Sequence, residues 1–302
     1  MIHHVYANKS NIGDWLSARG IQSLLAPFSV VEHLCDRPFI DETLLRLSEA
    51  TPRDLVVIGG GGLFMDYFTP FWEGFLRVAK RVPFCIWGVG FCDLKREPSR
   101  ACTALLEDVA SMSRFTVVRD QLTREYLSRC ALPPPVPCPS TVAVEPAPQE
   151  GWGILHSANY TTAGAEVYEF MCARAREFAA QTGRRYRETN NRIPDESEKA
   201  LAEVLDRYRK SDLVISSRLH GCIIALALGR KVLAVSGDRK VESFMKAMGL
   251  ERWVCDLEDV NSVPERLRKL PEQPVPVDCL RAAQRDNLAV ATRVRALLGA
   301  LP

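Results

Sequence analysis

Residues Ser211 to Gly229 read SDLVISSRLHGCIIALALG, an apolar strand that runs without a loop into an apolar helix, with Arg218 and His220 at the junction. Leu213 to Ser217 make the small and apolar run; Ile223, Leu226 and Ala227 recur at helical spacing, and Gly229 stops the helix. In parallel α/β proteins such junctions hold the chemistry, because ligands bind beyond the carboxyl ends of the strands. A helix start offers free backbone N–H groups and the positive end of its dipole, which favour an anion. Arg218 adds a forked donor suited to carboxylate or phosphate. His220 can give or take a proton near neutral pH. A histidine alone is more often structural, but an arginine beside it at one helix terminus shifts the weight to function.

Working outward, Ile2 to Tyr6, Leu55 to Ile58, Pro83 to Trp87 and Phe115 to Val118 read as strands separated by segments of helical periodicity. That alternation predicts βαβ units and a parallel sheet. Seven prolines between Leu132 and Gly151 then predict a semi-rigid linker, or a linker with one short strand. The alternation restarts with strand Trp152 to Leu155, helix Ala165 to Gln181, strand Arg185 to Glu188, helix Asp195 to Arg209, the opening unit, and strand Val232 to Val235. Residues 278–301 read as a helix that packs back across the first domain. The expected fold is α/β, two Rossmann-like domains facing a cleft, with residues 1–144 in the first and 145–277 in the second.

Composition narrows the function classes. The 302 residues carry 39 basic and 37 acidic side chains, net +2, mixed along the chain, so no global charge argues for nucleic acid or an anionic membrane. Arg184 to Arg187 is a local basic cluster that reads as a solvated strand end. The ten cysteines are scattered, several within apolar runs as at Cys85, Cys172 and Cys222, and none shows CxxC spacing. Buried reduced thiols are the expectation, and no metal site. With no basic region leading into an apolar core at the N-terminus and no run long enough to span a bilayer, the expected location is the cytoplasm.

Three other junctions stand beside the opening one. In Asn8 to Asp14, NKSNIGD, a strand gives way to a helix with Gly13 in the turn and Asp14 at or near the cap; the turn offers N–H groups and one carboxylate able to orient a hydroxyl or act as a base. Gly59 to Gly62 follow a buried strand, and four glycines in a row imply a close backbone approach. The run lacks GxGxxG spacing with a following acidic residue, and there is no GxxxxGK[ST] loop, so a nicotinamide or P-loop site has little support. In Val117 to Asp120, VVRD, Arg119 and Asp120 emerge at a strand end, where a structural pair is favoured over a ligand contact. On the loop after Val235, Lys240 either adds a second positive charge toward an anion or covers helix surface. Tyr67, Phe68, Phe71 and Trp72 read chiefly as a core helix, with an acceptor platform or a subunit contact as the other readings.

These segments resemble the polysaccharide pyruvyl transferase family, in the family's order and over most of the chain: Asn11-Ile-Gly13-Asp14, Gly59 to Leu63, Val118-Arg119-Asp120, and Ser217-Arg218-Leu219-His220-Gly221 with Gly237-Asp238-Arg-Lys240. The resemblance implies a fold similar to the GT-B glycosyltransferases and a reaction in which phosphoenolpyruvate gives its pyruvyl group to two sugar hydroxyls, forming a cyclic ketal and free phosphate. By that mapping Arg218 holds the donor's carboxylate or phosphate, and His220 is the general acid toward its methylene carbon. Asp14 completes the expected catalytic set. The expected substrate contacts are Asn11, Gly13, Gly60, Gly61, Gly62, Arg119, His156, Asn159, Leu219, Gly221 and Lys240.

Phosphoenolpyruvate is thus a co-substrate, and no metal or redox cofactor is required. Two departures stand out. Family members often carry an arginine just after the first strand of the second domain, where this chain has His156 and Asn159, so that donor contact is either missing or replaced by His156. The linker has Cys138-Pro139-Ser140-Thr141 where an Asp-Pro is usual.

The expected activity is pyruvylation of a glycan or glycan precursor, with the donor on the second domain and the acceptor on the first. One alternative keeps the fold but uses a nucleotide-sugar donor, for which Glu242 is the candidate ribose contact. Another is a non-catalytic partner in polysaccharide assembly that binds sugar or phosphate. The expected partners are a small-molecule donor and a glycan acceptor. Peripheral association with a lipid-linked acceptor and a homo-oligomer are left open.

Overall fold

The apolar alternation closes into two parallel five-stranded sheets in the computed structural model, which describes residues 1–97, 100–158 and 164–301. The first contains β1 (Ile2–Tyr6), β2 (Val30–Leu34), β3 (Leu55–Gly59), β4 (Phe84–Val89) and β5 (Thr116–Val118), in the order β2-β1-β3-β4-β5. The second contains β6 (Gly153–Ser157), β7 (Arg185–Thr189), β8 (Leu213–Ser216), β9 (Lys231–Ser236) and β10 (Val254–Asp256), in the order β10-β9-β8-β6-β7. Strands β3, β4, β6 and β8 are buried along their whole length, which is why they read as apolar runs rather than alternations. The edge strands β2 and β10 have no counterpart among the predicted strands. VVEHL carries Glu32 and His33 and is only half-buried, and β10 is three residues long, so neither writes a clear apolar signature.

The helices that matter to the site are α1 (Ile12–Leu25), α2 (Gln121–Tyr126), α3 (Ser140–Ala143), α4 (Ala165–Gln181), α5 (Glu198–Arg209), α6 (Leu219–Ala227), α7 (Arg239–Ala247) and the C-terminal α8 (Val277–Gly299). Both sheets share one winding. The chain leaves β1 for the edge strand β2 and returns to β3 on the other side of β1, and it leaves β6 for β7 and returns to β8 in the same way. Each sheet therefore has a switch point, β1/β3 and β6/β8, where the loops at the strands' carboxyl ends diverge and open a crevice. The strand ends are in register there, with Val5 opposite Ile58 and Ser157 opposite Ser216.

The proline-rich segment is a fixed part of the fold. It carries the helical turn α3 instead of a strand, and Cys138, Ser140 and Thr141 are buried. A Cβ at Gly20 would come within 2.1 Å of the Pro139 carbonyl oxygen, and one at Gly88 within 2.5 Å of the Pro139 ring, so α1 and β4 close tightly on it. Helix α8 packs back as the sequence predicts. Val290, Ala291 and Val294 join Ile2, Leu55 and Trp87 in one cluster, while Leu280 at its start belongs to the core around the second sheet. The Trp87 indole donates to Asn287 Oδ1 at 2.9 Å, and Asn287 Nδ2 donates to the Pro137 carbonyl at 2.9 Å. The cysteines are all reduced. Arg184 departs from the expected solvated strand end: it is buried against Asp212 at 3.0 Å, with its guanidinium 3.5 Å above the Trp152 ring.

Candidate active site

The two switch points face each other across a cavity of about 460 Å³. Its walls come from the loop after β1 (Ala7, Asn8, Asn11, Asp14), from Asp36, Gly62, Met65, Tyr67, Phe68, Cys92 and Arg119 of the first half, and from Asn191, Arg192, Ser217 to His220, Asp238 and Lys240 of the second. Two backbone seams flank it. Ile12 N–H donates to the Asn191 carbonyl at 3.0 Å and Ile193 N–H to the Ser10 carbonyl at 2.7 Å; on the other side Lys95 N–H donates to the Gly237 carbonyl and Arg239 N–H to the Asp93 carbonyl, both at 3.1 Å.

Helix α1 is capped by Asn11, whose Oδ1 accepts from Gly13 N–H at 3.0 Å. Asp14 therefore stands near the cap, as expected, and not at it; the correction concerns Gly13, which lies in the first turn of the helix and not in the turn before it. With the cap supplied by Asn11, Asp14 is the third helical residue and lines the cavity. Burial pushes its carboxyl up to about 6, against the pull of Arg119 and Lys240.

Gly13 is there for His220. A Cβ at Gly13 would lie 1.9 Å from His220 Nδ1, so the imidazole of the second half rests on the bare backbone of the first. On the other side of the ring, Nε2 is 3.4 Å from Ser17 Oγ and 3.6 Å from Cys138 Sγ. The linker's departure from the usual Asp-Pro thus puts a thiol beside the imidazole. Burial, and then the charges of Arg119, Lys240 and Arg218, hold His220 well below the ordinary imidazole value.

Arg218 is the N-cap residue of α6, in extended backbone; its Nε donates to the Ala158 carbonyl at 2.7 Å, which aims the guanidinium along the cavity. Leu219 lines the cavity from the first helical position. Gly221 does not line it: a Cβ there would meet Ser216 Oγ at 2.1 Å and Ser157 Oγ at 2.7 Å, so this glycine lets α6 settle on the sheet.

The glycine run divides in the same way. Gly60 and Gly61 adopt φ +82° and +87°; a Cβ would strike Ser17 at the first and Asp14 Oδ1, 2.3 Å away, at the second. Of the three predicted contacts in the run, Gly62 alone lines the cavity. Arg119 lies at the cavity floor and also forms the structural pair, Nε to Asp120 Oδ2 at 3.1 Å, while Asp120 caps α2 through Thr123 N–H at 2.8 Å. Lys240 faces the cavity, held by Asp238 at 2.5 Å and by Cys92 Sγ of the first half at 3.1 Å, and does not cover exposed helix surface.

His156 is placed elsewhere. It is buried under α4, with Nδ1 3.3 Å from Cys172 Sγ and from Tyr186 Oη and its ring stacked on Tyr168, and it does not line the cavity. Burial lowers it to about 4. Its neighbours are those of a packed neutral imidazole, which corrects the expectation that it replaces a donor contact. Asn159 lies outside the described residues. Glu242 is paired with Lys95 at 2.5 Å and does not line the cavity, so the ribose contact of the nucleotide-sugar reading is not in place.

Sequence reasoning passed over Asp36, Asn191 and Arg192. Asp36 follows the unpredicted edge strand β2; its carboxylate accepts from Asn8 Nδ2 at 3.1 Å and from the Tyr67 hydroxyl. Asn191 and Arg192 follow β7, where the polar run Thr189 to Arg192 was the available signal. The aromatic segment splits: Phe71 and Trp72 are core, as the sequence favours, while Tyr67 and Phe68 line the cavity.

Comparison with known proteins agrees with this geometry. A family model described as polysaccharide pyruvyl transferase matches residues 11–239. Among solved structures the chain is similar to a putative UDP-N-acetylglucosamine 2-epimerase from Listeria monocytogenes, with 12% identity and TM-score 0.57 over 98% of this chain and 94% of that one. It is similar also to the UDP-GlcNAc 2-epimerase of Methanocaldococcus jannaschii in complex with UDP-GlcNAc and UDP, with 10% identity and TM-score 0.55 over 98% of both chains. A functionally uncharacterised protein from Klebsiella pneumoniae matches with 13% identity and TM-score 0.53 over 84% of this chain and 91% of that one. These likenesses establish a GT-B-like fold. No curated protein sequence matches the chain. Among the described residues, no helix is long and apolar enough to cross a membrane.

Proposed function

The chain belongs to the polysaccharide pyruvyl transferase family, and from that premise we propose that it moves the pyruvyl group of phosphoenolpyruvate onto two hydroxyls of a glycan or glycan precursor, with His220 as general acid. The observation that carries the reading is the meeting of His220 and Arg218, from one half, with Asp14, from the other, in a single cavity at two facing switch points.

The donor's carboxylate and phosphate lie against Arg218, Arg192 and Lys240 and the start of α6, where forked guanidinium donors and free N–H groups favour oxyanions. Their negative charge offsets the cations that add to burial in holding His220 low, so donor binding itself raises the imidazole's proton affinity. Protonated His220 delivers its proton to the donor's methylene carbon. The neighbouring carbon becomes cationic, the first sugar hydroxyl adds to it, and Asp14 takes the hydroxyl's proton. The carbon–oxygen bond to phosphate then breaks, phosphate leaves with the bonding pair, and the second hydroxyl closes the ketal with loss of its proton. Phosphoenolpyruvate and a diol thus give a ketal and inorganic phosphate, and no cofactor enters the balance.

The first half, residues 1–144, holds the acceptor in this reading and the second, residues 145–277, the donor. The acceptor wall is Asn8, Asp36, Met65, Tyr67 and Phe68. A carboxylate and an amide suit sugar hydroxyls, and aromatic faces suit the ring's C–H groups.

Phosphate release tests the proposal. With phosphoenolpyruvate and a panel of glycan acceptors, the wild-type protein should release phosphate with an acceptor it recognises, and His220→Ala should abolish release. No release with any acceptor, or release undiminished in His220→Ala, refutes it.

A further inference from the structure

Asn191 lines the cavity, and sequence reasoning gave it no role. It is 2% exposed and holds φ +57°, a left-handed conformation that asparagine tolerates better than most side chains. Every hydrogen-bonding group of the residue is satisfied except one. Its N–H donates to Thr189 Oγ1 at 3.1 Å and its carbonyl accepts from Ile12 N–H at 3.0 Å across the seam between the halves. Its Oδ1 lies 2.9 Å from the Tyr208 hydroxyl, which is also 2.9 Å from Ser157 Oγ. An amide oxygen only accepts, so the phenol's single proton goes to Asn191 and the serine hydroxyl is left to donate to the phenol.

With its oxygen on the Tyr208 hydroxyl, the carboxamide turns its nitrogen away from that relay. Among the described residues its Nδ2, which is buried, has no hydrogen-bond partner. A stranded buried donor costs stability. The core uses the amide's oxygen, as acceptor for the Tyr208 hydroxyl, and asks nothing of its nitrogen. The neighbours on the cavity wall are Arg192 and Arg218, so a ligand drawn to those guanidinium groups brings acceptor oxygens to the wall that Asn191 shares.

We infer that Asn191 is a donor-binding residue whose Nδ2–H group hydrogen-bonds an oxyanion oxygen of the substrate held by Arg192 and Arg218, with Tyr208 as the positioning residue that orients the amide. The inference rests on the donor being an oxyanion, and phosphoenolpyruvate is the donor proposed above. A neutral donor beside two cations also makes geometric sense: it selects the oxygen's direction without adding a further charge to the cations that already hold His220 low.

Calorimetric titration with inorganic phosphate and, separately, with phosphoenolpyruvate tests it in the full-length protein and three variants. Asn191→Gly keeps the positive φ and removes the amide. Asn191→Asp keeps the shape and the acceptor for Tyr208 but removes the N–H donor. Tyr208→Phe removes the orienting hydroxyl. Loss of one hydrogen bond to a charged acceptor predicts that the two Asn191 variants bind both anions about tenfold or more weakly, and Tyr208→Phe a few-fold. In turnover the loss falls on KM for the donor more than on kcat, and the melting temperature gained on adding anion shrinks in the same order, a readout that a purely structural role would not move.

If the wild-type protein binds phosphoenolpyruvate and the Asn191 variants bind it as tightly, the inference is overturned while the proposed donor stands. If the wild-type protein binds phosphate and not phosphoenolpyruvate, the proposed donor falls and the phosphate series alone decides Asn191. If it binds neither, both fall.

Discussion

Asp14 and His220 face the same cavity with opposite titration problems, and the two can be separated by pH. Burial, opposed by Arg119 and Lys240, raises the folded Asp14 carboxyl from 3.8 to about 6. A raised folded value means stability that is fully present below the unfolded value and lost as pH rises through the folded one. Asp14→Asn should therefore raise thermal stability at about pH 8, by on the order of 1–3 kcal/mol, with the gain vanishing by about pH 4; chemical denaturation across pH measures it. The same variant should lose most of its turnover, since the base is gone. His220 is depressed by burial and then by Arg119, Lys240 and Arg218. If donor charge restores its proton, the descending limb of kcat lies at higher pH than that of kcat/KM, because kcat reports the complex and kcat/KM the free enzyme. Coincident limbs would contradict the account. Both residues were legible in the sequence as chemistry at strand-to-helix junctions, and Asn191 was not. The role proposed for it depends on a side-chain atom that has no partner among the described residues, and no residue pattern records that.

At the scale of elements, the first turn of α1 was read with the right residues in partly wrong places. NIGD announced a helix start, but with Asn and Asp both good caps the sequence did not say which one caps. Asn11 does, and this frees Asp14 for the cavity and puts Gly13 within the helix under His220. Gly13→Ala sets helix propensity against packing. Alanine gains at most about 1 kcal/mol in a helix, while its Cβ would overlap the buried imidazole at an overpacking cost of about 1–3 kcal/mol, so the melting temperature should fall. The new Cβ would displace the imidazole, and a misplacement of this kind predicts a loss of turnover of about 10²-fold. Gly61→Ala adds a backbone cost, because φ +87° is strained for an alanine and its Cβ would meet Asp14. A stability loss of about 1–3 kcal/mol, read by denaturant unfolding, is expected. The four-glycine run told of a close approach; which glycine served the ligand and which served packing depends on α1, far away in sequence.

At the scale of the molecule, two copies of one winding face each other, and their alternating patterns showed that from the sequence. The edge strands did not show themselves, and the linker showed itself as a proline run but not by the helical turn it carries. Edge strands need only half a pattern, and a helical turn of four residues between prolines has no periodicity to read. What holds the halves at fixed distance is spread over the whole chain: the two backbone seams, α3, and α8 with Asn287 joining Trp87 to Pro137. Asn287→Ala strands the Trp87 N–H and the Pro137 carbonyl, at about 1–3 kcal/mol for each group left without a partner, and equilibrium unfolding in denaturant should show it. The central claim is that the assembled cavity protonates the methylene carbon of the donor and closes a ketal on the acceptor. Mass spectrometry of the acceptor after reaction with unlabelled phosphoenolpyruvate in D₂O tests it most directly. The account predicts a pyruvyl ketal whose methyl group carries one deuterium, formed by the wild-type protein and absent with His220→Ala; a ketal without deuterium, or an acceptor left unmodified by a wild-type protein that consumes the donor, would contradict it.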